Sequence, residues 1–323
     1  MNRFEFARAT SMAEALDLAA QRPGSVFKAG GIDLLDHLKE HLSEPPRIVD
    51  LKAIPGLNAI KEEADGGVRI GPLVTLAQVS VHPALRATHT ALAEACGEAA
   101  SPQIRNVATI GGNLLQRPRC WYYRLESYRC LKKGGDICFA VGGENRYHTI
   151  FGDGACNAPH PSNAAVALVA LGASFTFASR QGTRTVTAER FFASPGADPQ
   201  RENGLQLGEI LSEIKVPAAP RLRSTYTSIC ERAAFDWPLV SAVVALRIEG
   251  GLVREARIVL GAVATRPWRS PAAERALVGR RLDDATAEAV AQAAVAGAQP
   301  LSDNGYKVEL AKTLLRRTLA STT

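Results

Sequence analysis

Apolar positions recur along the chain with helical spacing in some stretches and with period two in others. Few of these stretches run past a dozen residues. Near the N-terminus, Ser11 precedes a helically spaced apolar run and Glu14 follows three residues later. This predicts a capped helix over about 12–21. A strand over 25–28, the turn Ala29-Gly30-Gly31-Ile32-Asp33-Leu34, a helix over 35–42 stopped before Pro45-Pro46, and a strand over 47–51 complete a small β-α-β unit in residues 1–55. Residues 56–220 read as a larger α+β unit. It has a strand over 68–70, a short helix capped by Thr75, an alanine-rich amphipathic helix over 84–100 and a helix over 163–171 begun at Ser162. Strands over 174–178, 183–187 and 209–216 follow, the last closed by Pro217. Residues 221–323 form a third unit. Apolar runs over 241–248 and 256–261 flank Glu249-Gly250-Gly251 as a meander, assigned to a three-stranded antiparallel sheet, and helices over 285–298 and 306–319 follow. The predicted class is α+β, with no internal repeat.

Two glycine pairs interrupt this pattern at strand–helix junctions. The first lies in Val26-Phe27-Lys28-Ala29-Gly30-Gly31-Ile32-Asp33-Leu34, the second in Thr109-Ile110-Gly111-Gly112-Asn113. Backbone N–H groups at such a junction suit a phosphate, and glycine permits close approach and positive φ. Each pair can equally be an ordinary tight turn. Neither matches G-x-G-x-x-G, which argues against a Rossmann dinucleotide site.

The second loop runs directly into a basic, aromatic stretch holding four of the six cysteines. Cys120, Cys130, Cys138 and Cys156 have the spacing C-x9-C-x7-C-x17-C. Residues 117–157 carry seven Arg or Lys against four acids (Glu126, Asp136, Glu144 and Asp153), and seven of the chain's nineteen aromatic residues. Four thiolates suit zinc or an iron–sulfur cluster. Structural zinc sites favour close cysteine pairs, whereas a cubane offers four separate corners, so the long gaps favour a 4Fe-4S cluster. Zinc and plain buried thiols stay open on spacing alone. Disulfides are disfavoured because no export signal is visible. His148 and His160, Cys96 and Cys230 are assigned no ligand role.

Composition narrows the function. The net charge is +6 and the pI about 9.1, but the basic residues are scattered, which does not favour nucleic-acid binding. No apolar run approaches the ~20 residues needed to span a bilayer, so membrane insertion is not expected. The expected location is the cytoplasm, or the periplasm by export attached to a signal-bearing partner.

Several segments resemble one family. Ala29-Gly-Gly-Ile-Asp-Leu-Leu35, Arg69-Ile-Gly-Pro-Leu-Val-Thr-Leu-Ala-Gln-Val79 and above all Ser101-Pro-Gln-Ile-Arg-Asn-Val-Ala-Thr-Ile-Gly-Gly-Asn-Leu-Leu-Gln116 are similar to the FAD-binding medium subunits of the molybdenum hydroxylases, the xanthine dehydrogenase family. Residues 161–172 and 302–311 resemble later segments of the same subunits. The cysteine stretch, with Gln116-Arg-Pro-Arg-Cys-Trp-Tyr-Tyr-Arg124, looks like that of the periplasmic-type aldehyde oxidoreductases. The β subunit of 4-hydroxybenzoyl-CoA reductase shares it.

The resemblance implies a PCMH-type FAD-binding domain over 1–220 with an iron–sulfur insertion over 117–157. Residues 221–323 would then be the C-terminal domain typical of these flavoproteins. It implies FAD held by both glycine loops, with Asn163, Leu211, Glu231 and Lys307 as further contacts, and a 4Fe-4S cluster on Cys120, Cys130, Cys138 and Cys156. Its expected partners are a large molybdenum-cofactor subunit, where substrate is oxidised, and a small subunit with two 2Fe-2S clusters. Electrons would pass through these to FAD and on to an external acceptor. A zinc-stabilised assembly module without redox function is the remote alternative. Ile32 and Asn163 depart from the family's usual Thr and Asp, and Ser228 and Cys230 from its Lys and Arg.

Overall fold

The computed structural model describes residues 1–152, 154–193, 198–233 and 235–322. Asp153, one of the acids counted in the cysteine stretch, lies outside them. Three sheets organise the chain. The first is parallel, with Arg47–Asp50 between Glu5–Arg8 and Val26–Lys28. Parallel neighbours need crossovers, which the helices Met12–Gln21 and Ile32–Lys39 provide. Ser11 caps the former by accepting from the Glu14 amide at 3.1 Å. Glu14 itself turns back to the Thr10 amide and hydroxyl, not to Ser11.

The second sheet is antiparallel, in the order Ile60–Glu62, Val68–Ile70, Ile210–Val216, Ser174–Ser179, Gly182–Thr187. Its apolar face meets the helices Leu76–Val81, Thr90–Gly97 and Asn163–Ala170, and Phe175, Phe177, Phe191 and Phe192 fill the centre. The helix expected over 84–100 is two helices, Pro83–Thr88 and Thr90–Gly97. They break at His89, whose ring is buried between the Thr88 hydroxyl (2.7 Å) and the Pro217 carbonyl (2.9 Å).

The third sheet corrects the expectation of three strands. It has four, in the order Trp268–Arg269, Leu252–Gly261, Val240–Glu249, Leu222–Ile229. Leu222–Ile229 escapes a hydrophobicity reading because Arg223, Thr225, Thr227 and Ser228 dilute it, although Val240 pairs squarely with Ile229. The central strand Val240–Glu249 is apolar on both sides, and the reason is packing. Val240, Ala242, Val244 and Leu246 face the C-terminal helices Pro271–Leu277, Asp284–Val295 and Tyr306–Ser321. Val243, with Val259 and Tyr226, joins the core of the larger N-terminal unit. No helix among the described residues is long and apolar enough to cross a membrane.

Candidate cofactor cleft and the adjoining thiol segment

The two glycine loops meet. A Cβ at Gly30 would run into the Val107 carbonyl and crowd the Ala108 and Thr109 backbone, so the missing side chain is what lets the first loop lie against the second. Gly31 has φ +87° and stands as N-cap of Ile32–Lys39 without a side-chain cap. The first-turn N–H groups of that helix have no intrahelical acceptor, and residues 29–34 line a cleft of about 1290 Å³.

The second loop is built differently. Its amides are occupied: Ile110 donates to the Val74 carbonyl (2.8 Å), Gly111 to Pro72 (2.9 Å), Gly112 to the Thr109 hydroxyl (3.2 Å) and Asn113 to the Thr109 carbonyl (2.8 Å). A Cβ on Gly111 would strike Pro72 at 2.8 Å rather than enter the cleft. What this loop presents to the cleft is side-chain polarity, from Thr109 and from Asn113, whose carbonyl oxygen is fixed by the Ser162 hydroxyl at 2.6 Å.

The sequence-derived residues distribute unevenly. Val26, Phe27, Lys28, Ala29, Gly30, Gly31, Ile32, Asp33 and Leu34 line the cleft, as do Thr109, Gly111, Gly112, Asn113, Asn163 and Leu211. Ile110 lies in the core, fully buried. The Lys28 ammonium is paired with the buried Asp50 at 3.2 Å. Glu231 lines a second cavity of about 280 Å³ beside the cleft and pairs with Arg146 at 2.8 Å. Lys307 lines neither. It is wholly buried, and its ammonium donates to the carbonyls of Tyr147 (3.3 Å), His148 (3.1 Å) and Ala262 (2.6 Å). It braces the thiol segment against the C-terminal domain. Burial pushes its pKa down to about 7.

Arg117 and Arg119, not selected from the sequence, also line the cleft. Their position just before Cys120 was the available signal. Asp33, on the first loop, accepts from the Arg117 amide (2.8 Å), Arg119 (2.6 Å) and Arg124 (2.8 Å), and Arg124 also reaches Asp36 at 2.7 Å. Burial alone would raise the Asp33 carboxyl, but these cations and the amide hold it below its ordinary range. Arg119 lies over the Trp237 ring at 4.8 Å, and both residues line the cleft and the second cavity. Asp33 thus joins the first glycine loop to the cysteine stretch, and Trp237 brings in the C-terminal sheet.

All four cysteines of that stretch are free. Besides burial, the thiols of Cys120 and Cys156 are each raised in part by neighbouring cysteines, Cys120 by Cys156 and Cys130, and Cys156 by Cys138 and Cys130. Among the described residues, no three or more His, Cys, Asp or Glu gather as they would around a single metal ion. Burial pushes the Cys120 thiol up to about 12 and raises Cys156, the latter against the pull of Lys132. A thiolate here needs a cationic partner. Tyr122, Tyr128 and Phe139 pack edge-to-face or stacked at 5.0–5.9 Å around this segment.

A cleft held between two subdomains by paired glycine loops defines a carrier of a large dinucleotide cofactor. Residues 2–219 match the FAD binding domain in molybdopterin dehydrogenase, and residues 225–322 match the CO dehydrogenase flavoprotein C-terminal domain. The chain is 37% identical to the aldehyde oxidoreductase FAD-binding subunit PaoB of Escherichia coli (strain K12), over 99% of this chain and 97% of that one. Among solved structures, quinoline 2-oxidoreductase from Pseudomonas putida 86 superposes with a TM-score of 0.79 at 26% identity. Carbon monoxide dehydrogenase from Hydrogenophaga pseudoflava does so with 0.78 at 29%. Both cover 99% of this chain and 97% of theirs. The chain therefore belongs to the FAD-binding medium subunits of the molybdenum hydroxylase family, and it is an oxidoreductase subunit.

Proposed function

We propose that this chain is the FAD- and 4Fe-4S-carrying electron-transfer subunit of a three-subunit molybdenum-containing aldehyde oxidoreductase. Residues 1–220 would form the FAD-binding domain, with the cluster insertion at 117–157, and residues 221–323 the C-terminal domain. The single observation that carries the flavin part is the meeting of the two glycine loops along one cleft of about 1290 Å³. That volume exceeds the ~300–1,000 Å³ of typical small-molecule pockets and suits a dinucleotide. The uncapped first turn of Ile32–Lys39 would receive the diphosphate, Thr109 and Asn113 would add hydrogen bonds, and Asn163 and Leu211 would flank the remainder.

Cys120, Cys130, Cys138 and Cys156 would ligate the cluster. The gathering of four free cysteines in one segment, with Cys120 and Cys156 each influenced by neighbouring cysteines, is what supports a cluster here. When bound, FAD and the cluster supply the one- and two-electron exchange that side chains cannot. The chain's residues bind, orient and shield. Substrate oxidation would occur on a large molybdenum-cofactor subunit, with a small 2Fe-2S subunit between it and this one and an external acceptor beyond. Likeness to the E. coli aldehyde oxidoreductase subunit and to CO dehydrogenase supports that assembly.

The test is co-expression of the full chain with its neighbouring subunits, followed by quantitation of flavin, iron and acid-labile sulfide. We expect one FAD and eight irons per complex, four of them on the small subunit's two 2Fe-2S clusters, falling to four in Cys130→Ser with FAD retained. Colourless protein with stoichiometric zinc would refute the reading.

A further inference from the structure

We propose that His148 is a positioning residue for the thiol site, donating its Nε2–H to the sulfur of Cys120. The inference rests on the proposed cluster and extends it beyond the four cysteines. His148 Nε2 lies 3.2 Å from Cys120 Sγ. Its other ring nitrogen, Nδ1, is buried and meets no hydrogen-bond partner.

A neutral imidazole carries one N–H, and leaving a buried N–H unpaired costs more than leaving a lone pair unpaired. The proton therefore belongs on Nε2 whenever Cys120 is a thiolate, as it must be when bound to iron.

The ring has little freedom to be elsewhere. It packs edge-on against Trp121 at 5.2 Å. Its backbone is pinned on both sides: the His148 amide donates to the Asn145 carbonyl at 2.8 Å, and the His148 carbonyl accepts from Asn304 at 3.2 Å and Lys307 at 3.1 Å. Asn304 and Lys307 lie at the start of the last helix, so the C-terminal domain sets the position of a group that touches the thiol site. The second cavity is lined by both Cys120 and His148, so the pair sits at its wall.

A hydrogen bond to a ligating sulfur stabilises the more negative, reduced cluster more than the oxidised one. In the co-purified complex, His148→Phe should keep its iron. At a fixed potential it should show about a tenfold lower ratio of reduced to oxidised cluster, equivalent to about 59 mV for a one-electron couple, read by redox titration of the reduced cluster's EPR signal. His148→Gln retains an N–H donor and should restore most of the wild-type ratio. An unchanged ratio in an iron-loaded His148→Phe overturns the inference while leaving the cluster intact. Absence in the wild type of a 4Fe-4S signal distinct from those of the small subunit's 2Fe-2S clusters removes the cluster reading, and this one with it.

A second measurement needs no variant. Wild-type complex grown with nitrogen-15-labelled histidine should show a weak histidine nitrogen coupling to the reduced cluster. No coupling, or one of the strength of direct iron ligation, overturns the donor role.

Discussion

Gly30 shows what one missing side chain can decide. Its α-carbon faces the backbone of 107–109, so any Cβ forces the two loops apart at the floor of the cleft. The neighbours are backbone atoms and cannot swing away. Gly30→Ala should therefore cost roughly 1–3 kcal/mol in overpacking and lower the FAD content of purified protein, measured by flavin release on heating. Full flavin content with unchanged thermal stability would show that the loops need not touch. The sequence marked both glycine pairs as turns but could not say which way each missing side chain points. Gly111 reads in sequence as a glycine cleared for a phosphate, yet its empty side faces Pro72 and its amide is already bonded. Direction depends on what packs behind the loop, and that comes from residues forty positions away.

Between elements, the helix Ile32–Lys39 and the segment 117–124 are held together through one carboxylate. Asp33 serves three arginines, and Arg117 also reaches Glu202 at 2.9 Å, which in turn holds the buried Lys132 at 2.9 Å. The first glycine loop and the thiol stretch are thus joined by one network of ion pairs and a main-chain hydrogen bond, where sequence reading treats them as neighbours with separate roles. Asp33→Asn should cost roughly 1–3 kcal/mol by removing the close carboxylate of the partly buried Arg119, while Arg124 keeps Asp36 and Arg117 keeps Glu202. It should raise both the rate of FAD release and the labelling of Cys120 by a thiol reagent in iron-free protein. A change in one without the other would mean that the network does not link the two sites. Helices with caps, such as those begun by Ser11, Thr75 and Ser162, were legible because capping is local chemistry. The two outer strands of the C-terminal sheet, Leu222–Ile229 and Trp268–Arg269, were not, because their membership is decided by pairing with the two apolar strands between them.

For the whole molecule, acid is the condition that tests its buried polar groups. His160 is fully enclosed beside Phe192, accepts the Ser162 amide on Nδ1 at 3.3 Å, and has its pKa pushed down to about 3 by burial, with Lys132 adding to the effect. His37 is lowered to about 4, also chiefly by burial. A histidine with a folded-state value below its usual 6.5 binds fewer protons when folded than when unfolded. Its contribution is therefore complete above about pH 6.5 and is lost as pH falls toward the folded value. At ~1.4 kcal/mol per unit, His160 alone should withdraw roughly 2 kcal/mol by pH 5. In His160→Asn the fall in the unfolding midpoint between pH 6.5 and 5 should be correspondingly shallower, and an equal slope in both proteins would exclude this source. Nothing in the order of residues warns of this, since a histidine's enclosure is a property of the finished core.

One pairing carries a consequence for how the chain is made. Val68–Ile70 finds its neighbour in Ile210–Val216, with Val68 opposite Val216. Both glycine loops and all four clustered thiols leave the ribosome before that partner strand exists. The sheet beneath the cleft therefore cannot close until residue 216 has been made, and a flavin meets the complete cleft only after that point.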